Sequence, residues 1–217
     1  MPPNLRLSLT IFSIGFAIEA GIDLYHLITG STQLIAGGSL FIIGGVATVV
    51  GLLFLWIGRH EWNELHQARV RHAHLTFLLL ILLGAAAGGP VAWYLYRTPG
   101  SLPGWVPAEV GIAAGISVVV TVWLYVVIVL HLVGGGGKAV LGLSLVTSLV
   151  PAYLVATAID RDLAGWVAAA GAAPASLASQ VEPLFALFSW LFASYLLLLA
   201  AFADAHRRVA RGLAAPT

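Results

Sequence analysis

Cysteine is absent from the 217 residues, and charge is scarce. Without cysteine the chain has no disulfide, no thiolate nucleophile, no Cys-ligated zinc and no iron–sulfur cluster. Charged residues make up 9% of the chain, against about 25% in an ordinary soluble domain. Together with 60% hydrophobic residues, this excludes a water-soluble globule, a disordered chain and a collagen-like one. Ten Lys and Arg nearly balance nine Asp and Glu, which gives no sign of a nucleic-acid partner. A polytopic helical membrane protein remains, with the lipid bilayer as its first partner.

A hydrocarbon core about 30 Å thick needs roughly 20 apolar helical residues, because unpaired backbone groups cannot face lipid. Six runs meet this need: 7–29, 34–57, 75–96, 108–133, 138–159 and 183–203. The expected fold class is therefore all-α, a bundle of six transmembrane helices forming one membrane domain over residues 1–217. The first run reads as an uncleaved span. Its front end carries one Arg, its apolar stretch continues past Glu19, and no A-x-A site follows.

Lys and Arg set the orientation, because positive charge stays on the cytoplasmic side. With the N-terminus inside, the inner segments hold Arg6, Arg59, Arg69, Arg71, Lys138, Arg207, Arg208 and Arg211. The outer segments hold Arg97 and Arg161, an eight-to-two split that predicts both termini on the cytoplasmic side of the cell membrane. Trp93, Tyr94, Tyr96, Trp105 and Trp166 fall near the outer boundary, where an aromatic ring is buried and its polar tip stays wet.

Glycine is abundant and patterned. Gly37, Gly44, Gly51 and Gly58 recur every seven residues, with Gly38 and Gly45 beside them, and Gly84–Gly88 and Gly111–Gly115 form G-x-x-x-G pairs. Such stripes let a neighbouring backbone approach closely, so tight helix packing is expected, in this chain or against a copy of it or a larger membrane complex. Pro90, after Gly88-Gly89, and Pro151 each remove a backbone donor inside a run, so kinks are expected there. Interrupted helices frame the binding site in many transporters.

The first run carries the most functional promise. Glu19, Asp23 and His26, spaced by four and three, share one helix face that continues through Gly15, Phe12 and Ser8. Glu19 lies about 18 Å from the inner end of the run, past the midplane, and the other two approach the outer interface. A charge at that depth costs on the order of 2.5–3.5 kcal/mol, so this face must point into the bundle or a wet cavity. A carboxyl that gains and loses a proton there suits proton relay or cation binding. The competing reading is a polar clamp neutralised by Arg97 or Arg161, with Gln180 or Glu182 joining the network.

The inner segment 59–74 holds four of the seven histidines. His60-Glu61 with His66 is not H-E-x-x-H, and His72 and His74 point about 200° apart on a helix. A metal site there needs further ligands, such as His131, Asp204 or His206 from the same side. For a bis-histidine haem, His131 with His72 or His74 is the pair at matching depth. Gly134–Lys138 is no phosphate loop, since Leu132 takes the first glycine position and Ala139 replaces Ser/Thr, and it reads as a flexible turn. No G-x-S-x-G elbow is present, and Ser189 and Ser194 read as packing residues that bond backward along their helix.

The leading expectation is a membrane protein that moves or senses a small solute, proton or cation, with an enzyme left open as the less favoured reading. Glu19, Asp23 and His26 form its protonatable face, and Pro90 and Pro151 its kinks. No cofactor is required for this. Two alternatives are a haem- or quinone-binding redox subunit near His72, His74 and His131, and an accessory subunit packed through the glycine stripe.

Overall fold

The computed structural model describes residues 3–29, 46–47, 49–60, 70–98, 102–168 and 181–212. These residues are almost entirely helical, and no strand occurs among them. The helices named here are α1 (Pro3–Thr29), α2 (Val70–Arg97), α3 (Val106–Val129), α4 (Gly135–Thr147), α5 (Leu149–Ala168) and α6 (Val181–Ala210). A further helical stretch covers residues 49–57.

Five helices are long and apolar enough to cross a membrane: Asn4–Thr29, Arg71–Arg97, Val106–Val129, Gly135–Gly165 and Ala186–Ala210. Each overlaps a run read from the sequence. The run at 34–57 falls largely outside the described residues, and so do Gly37, Gly38, Gly44 and Gly45.

Two local expectations are corrected. The run expected to continue to residue 133 ends with α3 at Val129, and residues 130–133 turn. The glycines after it are not a loose turn: Gly134 is the extended N-cap of α4, and Gly135, Gly136 and Gly137 are already helical. The physical reason lies in α6. Asp204 Oδ2 accepts the Gly134 N–H at 3.1 Å, satisfying a backbone donor at a helix start and placing negative charge at the positive end of the helix dipole. A Cβ on Gly137 would come within 2.6 Å of Val133 Cβ and 2.8 Å of that same carboxylate oxygen, so the close approach favours glycine.

The two prolines behave differently. α2 runs helical through Gly88-Gly89-Pro90 without a break. The helical run containing Pro151 is divided at Ser148 into α4 and α5. Pro151 then stands in the first turn of α5, where its missing N–H would have no helical partner in any case. Ser148 donates its N–H to Ser144 O at 3.1 Å and accepts from Ala152 N–H at 3.1 Å, so the two halves remain joined end to end.

Packing brings α1 against α6, α3 against α5, α2 against α3, and α4 against α6. Helices in lipid gain no hydrophobic driving force from meeting, so in a membrane a close fit would have to carry the association. Gly111 and Gly115 supply it for α3 and α5, because a Cβ there would lie 2.5 Å from Ala156 O and 2.8 Å from Ala152 O. Gly51 supplies it for α1. The Phe12 ring lies over it, 2.8 Å from where a Cβ would stand, and Ser8 Oγ donates to Gly51 O at 3.1 Å. Gly84 and Gly88, by contrast, have no close neighbour among the described residues: a Cβ on either would meet none of them within 4 Å.

The core is an aromatic cluster shared by three helices. Phe16 of α1 meets Tyr125 of α3 edge-on at 4.6 Å and Phe202 of α6 at 4.9 Å, and Phe12 meets Phe202 at 5.6 Å. Tyr195 of α6 stacks on Phe16 at 6.4 Å. Edge-to-face pairs place the positive ring edge on the negative face of the neighbour, worth about 0.5–1.5 kcal/mol each beyond area burial.

Candidate functional site

The polar face of α1 begins one turn beyond this cluster. Glu19 is half-buried, while Asp23 and His26 are each only 5% exposed, so the helix turns its polar stripe towards α6 and not outwards. The spacing that puts Phe12 and Phe16 in the core puts Glu19, Asp23 and His26 on the continuation of the same face.

α6 supplies the opposite wall. The His26 imidazole stacks on the Phe188 ring, with centroids 4.5 Å apart and planes 12° from parallel. The Tyr195 phenol lies within electrostatic reach of Glu19, Asp23 and Tyr125. Ser194 donates its hydroxyl to Trp190 O at 2.9 Å, the backward bond expected of it. Neither Tyr195 nor Phe188 stands out in the sequence, where both sit in an apolar run; only the docking of α6 on α1 brings them to the site.

Asp23 is the most telling group. Its Oδ2 is buried and has no hydrogen-bond partner among the described residues. Neither Asp23 nor Glu19 is in a salt bridge among those residues. The two arginines expected as charge partners are engaged elsewhere. Arg161 Nη2 lies 2.7 Å from Asp162 Oδ2, and the Arg97 guanidinium lies 4.5 Å from the Trp93 ring centroid. Gln180 and the Glu182 side chain lie outside the described residues.

The inner histidines do not assemble in the same way. His72 is exposed, His74 meets the Trp56 ring edge-on at 4.7 Å, and His131 is half-buried in the turn after α3. His66 lies outside the described residues. Among the described residues no three of His, Asp and Glu come together as metal ligands, at either end of the bundle.

No protein-family model matches the chain, and no curated protein and no solved structure matches it. The functional reading therefore rests on the geometry of α1 and α6.

Proposed function

We propose that this chain is a multi-pass membrane protein with both termini cytoplasmic, which binds and moves a proton or small cation at Glu19 and Asp23. The observation that carries the reading is the buried Asp23 carboxyl, with one oxygen unpartnered among the described residues and a second carboxyl one turn away. A structural clamp would have the opposite arrangement, a basic partner satisfying both groups. Burying an unsatisfied polar atom costs about 1–3 kcal/mol, and such a cost is retained where the atom has work to do. A proton needs one acceptor, whereas a metal ion needs several converging ligands, so the arrangement favours the proton. His26, beyond Asp23 on the same face, is the relay towards the outer side.

The test is proton flux into liposomes containing the purified full chain and an internal pH dye. Wild type dissipates an imposed pH gradient; Glu19→Gln and Asp23→Asn, both still monodisperse in detergent, do not. Equal rates in wild type and both variants would overturn the reading.

A further inference from the structure

Every Lys and Arg of α1, α4 and α6 lies at one end of the bundle. α1 and α6 run antiparallel, with Phe12 against Phe202 and His26 against Phe188. Six residues beyond the Phe12–Phe202 pair on each helix stand Arg6 and Arg208, which brings them level. α4 begins at the same place. Its N-cap Gly134 donates its N–H to Asp204 Oδ2, and the Arg208 guanidinium lies against the same glycine, with Nη1 2.9 Å from where a Cβ would stand. Lys138 follows one turn into α4, its N–H on Gly134 O at 2.9 Å, while Arg207 precedes Arg208 and Arg211 follows it by almost a turn. Arg6, Lys138, Arg207 and Arg211 are exposed. Asp204 is the one acidic residue at this end of the three helices, and its Oδ2 is engaged in the cap. At the opposite end of the bundle, by contrast, Arg161 has Asp162 and Arg97 has the Trp93 ring.

Depth identifies the partner. Arg6, Lys138, Arg207 and Arg208 each lie within three residues of the end of a stretch long and apolar enough to cross a membrane, and Arg211 lies one residue past such an end. At 1.5 Å per residue this is about 5 Å or less from the hydrocarbon boundary, the level of phospholipid headgroups. Deeper along the same helices Leu7 of α1 and Leu143 of α4 are exposed, at the level where acyl chains run. An arginine offers a phosphate a planar fork of donors, and a lysine adds a compact charge. Basic clusters between membrane helices are suited to anionic headgroups for this reason. We infer that the junction of α1, α4 and α6 binds the phosphate headgroup of an anionic phospholipid, with Arg208 at its centre and Arg6, Lys138, Arg207 and Arg211 around it.

The experiment places the purified full chain in phosphatidylcholine membranes with a trace of spin-labelled phosphatidylglycerol or spin-labelled phosphatidylcholine of matched chains. Electron paramagnetic resonance reads the share of each label held immobile at the protein surface. Phosphatidylglycerol should associate several-fold more strongly than phosphatidylcholine. The preference should fall towards parity in Arg208→Gln and in the double variant Lys138→Gln/Arg211→Gln, and persist in Arg97→Gln/Arg161→Gln at the opposite end. Excess inorganic phosphate, at matched ionic strength, should leave it in place. If Arg208→Gln does not reconstitute, the double variant at exposed positions carries the comparison. Equal association of the two lipids, a preference unchanged in the folded Arg208 and Lys138/Arg211 variants, or one lost equally in the Arg97/Arg161 variant would overturn the inference. Displacement of phosphatidylglycerol by inorganic phosphate would overturn the lipid assignment in favour of free phosphate.

Discussion

Gly115 of α3 faces Ala152 of α5 so closely that a Cβ on the glycine would stand 2.8 Å from the alanine carbonyl oxygen. One turn earlier, Gly111 would meet Ala156 O at 2.5 Å. The obstacle in both cases is backbone, which cannot swing aside as a side chain can. Substituting either glycine by valine should lower stability by roughly 1–3 kcal/mol, the usual cost of overpacking. Gly84→Ala, at a position with no described neighbour within 4 Å, should leave the unfolding midpoint at or slightly above wild type, since alanine favours helix. Thermal unfolding of the three variants in one detergent decides this; equal midpoints would mean that the α3–α5 contact is looser than described.

The Phe12 ring over Gly51 invites a paired test. Gly51→Ala pushes a methyl into the ring and should destabilise, and Phe12→Leu should destabilise by removing core contacts. In the double variant the leucine leaves room for the methyl, so the two losses should sum to more than the measured effect by about 0.5–3 kcal/mol, the range for residues in contact. Simple additivity would mean that the ring and the glycine do not touch.

Asp204 caps α4 from another helix. Asp204→Ala should cost about 0.5–2 kcal/mol, the range for loss of a helix cap, and Asp204→Asn should recover part of it by keeping an acceptor. A midpoint for Asp204→Ala that matches wild type would remove the cap from the account of this turn.

Arg161 is one of two outer arginines that the sequence offers to neutralise the acidic face, and the structure pairs it with Asp162 instead. The pair is exposed on the arginine side, where solvent screens it. Arg161→Ala should therefore leave both the proton flux and the unfolding midpoint close to wild type. A strong loss of flux would return Arg161 to the site.

The positions of the helices are legible in the sequence because apolar runs of about 20 residues leave few alternatives in a bilayer. The face bearing Glu19, Asp23 and His26 is legible because helical periodicity alone fixes it. What escapes is everything that depends on a second helix. Phe188 and Tyr195 are ordinary members of an apolar run until α6 docks. The glycines at 134–137 look like a flexible joint until Asp204 grips the first of them. Arg161 does carry a local signal, since Asp162 is its immediate neighbour and the shortest route to a carboxylate. For the kinks, residue type is informative and position is not: proline in a first turn accompanies a break three residues earlier, at Ser148.

The aromatic cluster joins α1 to α6, and of the described helices α6 is the last to be synthesised. Phe12 and Phe16 therefore leave the ribosome long before Phe202 and Tyr195 exist to receive them. During that interval the acidic turn of α1 has no wall on its α6 side, and Gly134 has no Asp204 to cap it. Each of the five long apolar stretches is apolar enough to enter a bilayer by itself, but the bundle cannot close around Asp23 until α6 has been made. Closure of this face is thus tied to the synthesis of α6, and a chain arrested before α6 would hold the earlier helices without their partner, a ready target for quality control.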